Sequence, residues 1–202
     1  MRYLPSMTEP APERRCGTCS LCCRVLRVEP LRKLGGVACP HQDEGSPTPC
    51  GIHGHPERPT LCGAYRCAWL QGRFETGDRP DQLGAVLDVA PQVGLPVLWI
   101  HEARAGSFDA SPRLQAIAQE CRESMEVRIT TASDVMNPDR TARVLLPRQE
   151  EHRISGDRVT VIRGGEVVSD RRLPLLDRSL RRLSLAWSRW RLRKYPGANP
   201  RN

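Results

Sequence analysis

Long apolar runs are missing from this 202-residue chain. No stretch approaches the roughly 20 apolar residues that span a bilayer, so no membrane-crossing helix is expected. The opening stretch MRYLPSMTEPAPERR lacks the apolar block of an export signal and is interrupted by Pro5, Pro10 and Pro12. The expected compartment is therefore the cytoplasm. No internal repeat is found, and no acid–base pair or activated nucleophile stands out. Cysteine is scarce over most of the chain: of the nine, only Cys121 lies outside residues 16–67. The remaining composition, 39% hydrophobic and 27% charged, suits a folded globular protein and excludes disorder throughout.

What the sequence does have is sulfur in one region. The octet CGTCSLCC (16–23) contains four cysteines, the last two adjacent. On a helix Cys16, Cys19 and Cys23 would fall within about 60° of arc. A turn-like path would instead present Cys16, Cys19 and Cys22 together. On either path the side chains of Cys22 and Cys23 are expected to diverge, which suits two neighbouring ions or one polynuclear cluster better than a single tetrahedral ion. Cys39, Cys50, Cys62 and Cys67 bring the set to eight, enough for two four-sulfur sites. A reducing compartment disfavours disulfides, and soft thiolate donors favour zinc or iron over magnesium or calcium. The cations Arg14, Arg15, Arg24, Arg27, Arg32, Lys33, Arg58 and Arg66 lie nearby in sequence. Positive neighbours of this kind lower thiol pKa values and favour the ligating form.

The run C-x2-C-x2-C-C, followed by Cys39, Cys50 and the segment RPTLCGAYRCAW, resembles the zinc- or iron-chelating cysteine-cluster family named for its CxxCxxCC motif. The resemblance covers residues 16–70. It implies metal ligands at Cys16, Cys19, Cys22, Cys23, Cys39, Cys50, Cys62 and Cys67, with Arg58, Pro59, Tyr65 and Trp69 matching the closing segment. The stretch RPDQLGAVLDV is similar to the continuation in longer members. Flagellin lysine methylases contain a similar cysteine segment, but their remaining chemistry has no counterpart here. The resemblance thus implies ligands, not a reaction. Zinc would make the region a structural module. An iron–sulfur cluster would make the chain an enzyme or electron carrier, although ferredoxin-type runs place the fourth cysteine three residues on, before a proline.

Beyond residue 72 the texture changes. GAVLDVA (84–90), PVLWIHE (96–102), EVRITT (126–131) and TARVLLP (141–147) read as strands, and DRVTVIRGGEVVSDRR as a hairpin turning at Gly164-Gly165. Ser111 is an N-cap with Pro112 at the first helical position. Leu114, Ile117, Ala118, Cys121 and Met125 follow at helical spacing. The fold class expected is α+β: a loop-rich cysteine metal-binding module, then a small mixed sheet with one covering helix, then a C-terminal amphipathic helix. The expected boundaries are a lead over 1–15, the cysteine module over 16–72, the α+β region over 73–172, the basic helix over 173–195 and a tail over 196–202.

The charge is equally regional. Residues 171–202 hold ten Lys or Arg against one Asp, giving +9 of a net +8, so the rest of the chain carries −1. Leu176, Leu180, Leu183, Trp187 and Trp190 form a helical stripe among these cations. Such a helix suits an anionic membrane surface or an acidic protein partner. Alternatively, its stripe docks on the protein's own body. No base-reading motif accompanies the charge, so nucleic acid is not an expected partner. His41, His53 and His55 read as loop histidines, because eight thiols already complete the ligand count. Cys121 reads as a buried structural thiol. His101 and Glu102 end an apolar strand where a site could be built, with solvated strand-end residues the simpler reading; Asp78, Arg79 and Asp81 read equally as a polar pocket at the junction of the two regions or as a turn.

Overall fold

The computed structural model describes residues 14–131 and 141–192. All but Arg14 and Arg15 of the lead expected over 1–15 lies outside these residues, as do the end of the basic helix (193–195) and the tail expected over 196–202. The α+β class expected from the sequence is what the chain adopts. Seven strands form one sheet in sequence order. They are β1 (Ala85–Ala90), β2 (Val97–Glu102), β3 (Glu126–Thr131), β4 (Thr141–Leu146), β5 (Glu150–Ser155), β6 (Arg158–Arg163) and β7 (Glu166–Arg172). Only β2 and β3 pair in parallel, and that pairing requires a crossover. The crossover carries α4 (Ser107–Ala110) and α5 (Pro112–Cys121).

The start of α5 follows from its sequence. The Ser111 hydroxyl accepts from Leu114 N at 3.2 Å and Pro112 occupies the first turn, so the cap satisfies an otherwise orphan donor. Leu114, Ile117, Ala118 and Cys121 are then buried on one face. They meet Leu87, Leu98, Ile100, Val127, Ile129 and Leu145 of the sheet, with Met125 packed at the edge. Alternation along each strand sends these residues to one side. The register pairs Leu87 with Ile100, Ile100 with Ile129, and Val127 with Leu145.

The other side of β1 anchors the cysteine region. Val86 packs with Val25, Cys67 and Trp69, joined by Leu21, Cys22 and Tyr65. Arg14 supports this contact, donating to the carbonyls of Trp69 (2.8 Å) and Phe74 (2.7 Å) while its guanidinium lies over the Trp69 ring. Four short helical pieces serve the region: α1 (Leu21–Val25), a 3₁₀ turn (Glu29–Leu31), α2 (Thr60–Ala64) and α3 (Pro80–Leu83). Between Leu34 and Cys67, no residue of 35–66 is fully buried, although Tyr65 packs partly against this cluster.

Strands β5 to β7 likewise contain no buried residue. Gly164 and Gly165 turn the last hairpin with φ of +58° and +88°, the left-handed conformation that glycine adopts without a Cβ penalty. The chain then enters α6 (Leu175–Leu192). Among the described residues no helix is long and apolar enough to cross a membrane.

Candidate metal centre

Each of the eight clustered cysteines has a local reason for its position. Cys16 and Cys19 close a turn, with Cys19 N donating to Cys16 O at 3.0 Å and Gly17 at φ +55°. Helix α1 begins only at Leu21, so the octet is a turn followed by a short helix and not one continuous helix. Cys39 opens a second turn, its carbonyl accepting from Gln42 N at 3.0 Å. Gln42 bridges to Cys50 and donates through its amide to the Ser20 hydroxyl at 2.8 Å, tying this loop to the entrance of α1. Cys62 lies within α2, where Arg58 donates to its carbonyl at 2.9 Å. Cys67 is buried just before Ala68, whose N–H donates to Leu87 O at 2.9 Å.

All nine cysteines are free thiols. The eight of the first third share one electrostatic neighbourhood. Cys22 feels Cys16, Cys19 and Cys23, and Cys67 feels Cys16. Cys62 feels Cys23, Cys39 and Cys50. Cys16 also feels Cys23, so the relations run continuously from Cys16, Cys19 and Cys67 through Cys22 and Cys23 to Cys39, Cys50 and Cys62. Cys121 stands apart from them; it sits under the sheet, and burial pushes its thiol up to about 11.

The expected divergence of Cys22 and Cys23 is not what their side chains do. Cys22 keeps its proton in a hydrogen bond to Cys23, which raises Cys22 and lowers Cys23. Burial raises Cys16, Cys19, Cys62 and Cys67, because low dielectric disfavours the thiolate. Among the described residues, no three His, Cys, Asp or Glu side chains converge closely enough to hold an ion. The donor chemistry fits a thiophilic metal: eight reduced sulfurs lie in one stretch of chain, and soft thiolate donors suit zinc or iron.

Among the nearby cations, Arg58, Arg66 and Lys33 act on the sulfurs. Arg66 and Arg58 lower Cys16, while Lys33 and Arg58 lower Cys23. Lys33 is buried at 2% exposure and donates to the carbonyls of Arg24 and Leu34, both at 3.0 Å, and of Leu26. Burial lowers its own pKa against the opposing pull of Cys39, Cys23, Cys22 and Cys62. The rest include Arg14, engaged with Trp69, and Arg27, paired with Glu29.

Other sequence candidates fall into place around this centre. His53 and His55 are exposed and His41 is half-buried. Asp78 closes a turn, its N–H donating to Glu75 O at 3.1 Å, and its carboxylate is 3% exposed and held by Arg113 of α5 through two contacts at 2.7 Å. Glu102 is also buried, accepting from Phe108 N (2.8 Å) and the Thr131 hydroxyl (3.0 Å), so the expected solvated strand end is instead a structural latch. Tyr65 contributes something the motif did not reveal. Its hydroxyl is buried without a hydrogen-bond partner, and burial, then Asp88, Cys67 and Cys22, push its pKa up.

Comparison with known proteins gives a partial likeness. The chain is 40% identical over 53 residues to UPF0153 protein PA1578.1 of Pseudomonas aeruginosa, covering 25% of this chain and 61% of that relative. The chain thus spans less than two thirds of the relative's length, and the relative's name specifies neither a ligand nor a reaction. No family model matches the chain, and no solved structure matches it.

Proposed function

We propose that this chain is a metal-binding protein that holds zinc or iron through its eight clustered thiolates. The finer assignment is two four-sulfur sites, one of Cys16, Cys19, Cys22 and Cys67, the other of Cys23, Cys39, Cys50 and Cys62. The observation that carries this reading is that eight free thiols from separate turns interact electrostatically with one another in a region whose residues 35–66 include none that is fully buried. Loops without a core need another staple, and bound zinc supplies one by fixing four thiolates tetrahedrally. The protein's own contribution is to present the sulfurs on short turns and to place Lys33 and Arg58 beside them, offsetting the charge that builds as protons leave.

The test is metal analysis and native mass spectrometry of chain purified without oxygen or chelator. Two zinc ions per chain are expected, with Cys22→Ser and Cys23→Ser each losing one. Iron with inorganic sulfide and broad visible absorption would assign the same thiolates to an iron–sulfur centre. A chain carrying neither metal, with a melting transition insensitive to added zinc, would overturn the proposal.

A further inference from the structure

Helix α6 is oriented the wrong way round for a helix that only covers its own protein. A surface helix normally turns its apolar stripe inward and its charges outward. Here Leu176, Leu180, Leu183, Trp187 and Trp190 are 71%, 58%, 68%, 57% and 63% exposed. The opposite face meets the body: Arg181 donates to Gly156 O and stands 3.9 Å from Asp157, while Arg178 and Leu185 are half-buried. The alternative of the stripe docking on the protein's own sheet is therefore not what the chain adopts.

Charge indicates what covers the stripe. No Asp or Glu follows Asp177, whereas eight Lys or Arg do. A second copy would set two such cationic helices side by side, and like charges at that range repel. An acidic protein would have to supply a groove for a stripe of five large side chains along nearly the whole helix. A bilayer surface imposes no such requirement. Leucines sink to the acyl boundary, tryptophans settle at the headgroup level, and arginines flanking the stripe reach the phosphates. We infer that α6 docks in the plane of an anionic phospholipid surface, its Leu–Trp stripe inserted and the rest of the protein held above through Arg178 and Arg181.

The experiment uses the full chain and sucrose-loaded vesicles of phosphatidylcholine, with or without phosphatidylserine. Sedimentation with the anionic vesicles is expected, weakening as salt rises, with little on the neutral ones. Trp187→Ser with Trp190→Ser should weaken binding at least about tenfold. Arg182→Gln and Arg191→Gln should each cost about fivefold, the equivalent of roughly 1 kcal/mol per basic residue at such a surface. In the unaltered chain, brominated lipid should quench tryptophan fluorescence, a readout that needs no variant to fold. Equal binding to both vesicle types would overturn the inference, as would no binding to either. So would a doubled sedimentation mass abolished by the tryptophan substitutions, which would assign the stripe to a second copy. None of these readouts depends on metal.

Discussion

Replacing Lys33 by Met tests how far the cysteine region depends on one buried cation. The methionine keeps the length and most of the volume of the lysine stem while removing the ammonium. Lys33 is 2% exposed and its Nζ donates to three carbonyls, those of Arg24, Leu26 and Leu34. A buried acceptor that loses its partner costs about 1–3 kcal/mol. Part of this is recovered, because Arg24 is exposed and its carbonyl lies near water. A net loss of about 3 kcal/mol follows, which lowers the melting midpoint of a chain this size by about 6–12 °C. The second effect is on metal. Binding converts neutral thiols into a thiolate cluster of net negative charge, which Lys33 faces through Cys22, Cys23, Cys39 and Cys62. Zinc affinity, measured by competition with a chromophoric chelator, should fall about tenfold. Calorimetry of loaded and chelator-treated chain separates the two losses. A Lys33→Met chain that melts and binds zinc like the parent would refute the reasoning, because Lys33 would then be neither a helix-end donor nor a counter-charge.

Arg113→Met should cost about 2 kcal/mol by urea unfolding, less than a fully buried pair because Arg113 is a third exposed, while Asp78 is 3% exposed; an unchanged midpoint would remove the clamp from the account. His101 has a lowered pKa because burial, opposed by Asp88, disfavours its charged form. Acid therefore favours the unfolded chain, and stability drops as pH falls below the ordinary histidine value of about 6.5 and on through the folded value. His101→Phe, which keeps the stack on Trp99, should flatten that part of the difference between parent and variant melting curves; parallel curves would contradict it. In chelator-treated chain at neutral pH, alkylation mapped by mass spectrometry should reach Cys23 before the more exposed Cys16, because Cys23 is lowered and Cys16 raised. Cys121, raised to about 11, should react well after Cys23, with only about one thiol in ten thousand ionised; Cys16 reacting first would show that exposure decides.

The inner half of the sheet was legible because its residues obey simple periods. Alternation in β2 and β3 and the helical spacing of Leu114, Ile117, Ala118 and Cys121 follow directly from burial on one face. Strand β5 escaped detection for the opposite reason. EEHRIS offers one aliphatic residue, and what holds it is ladder pairing on both sides plus ion pairs such as Arg143–Glu151 at 3.0 Å and Arg163–Glu150 at 2.7 Å. The turn before it places Arg148 and Gln149 at positive φ without a glycine to signal it. In the cysteine region the donor residues were visible by type, but their grouping was not. Proximity in sequence placed eight cations around the sulfurs, and among the described residues Lys33, Arg58 and Arg66 of that set are seen to act on them. Burial of Lys33 depends on how α1 and the following turn pack, which no local pattern encodes.

The two ends of the sheet are stabilised by different physics. Between them, α5 and strands β1 to β4 bury a continuous apolar core, and this core needs no ligand. On one flank, residues 35–66 are ordered without a fully buried residue. Conformational entropy opposes that order in every residue, and hydrogen bonds such as Gln42 to Ser20 each return only about 1 kcal/mol. On the other flank, β5 to β7 contain no fully buried residue and leave Val167 and Val168 exposed, as α6 leaves its Leu–Trp stripe. If the core alone held the chain, both flanks would open at low free energy while the centre stayed closed. Zinc should therefore slow amide exchange in residues 35–66 and leave α6 unchanged, while anionic vesicles should slow exchange in α6 and leave residues 35–66 unchanged. On these two proposals the flanks respond independently, and exchange measured with zinc and vesicles added one at a time resolves the two responses separately.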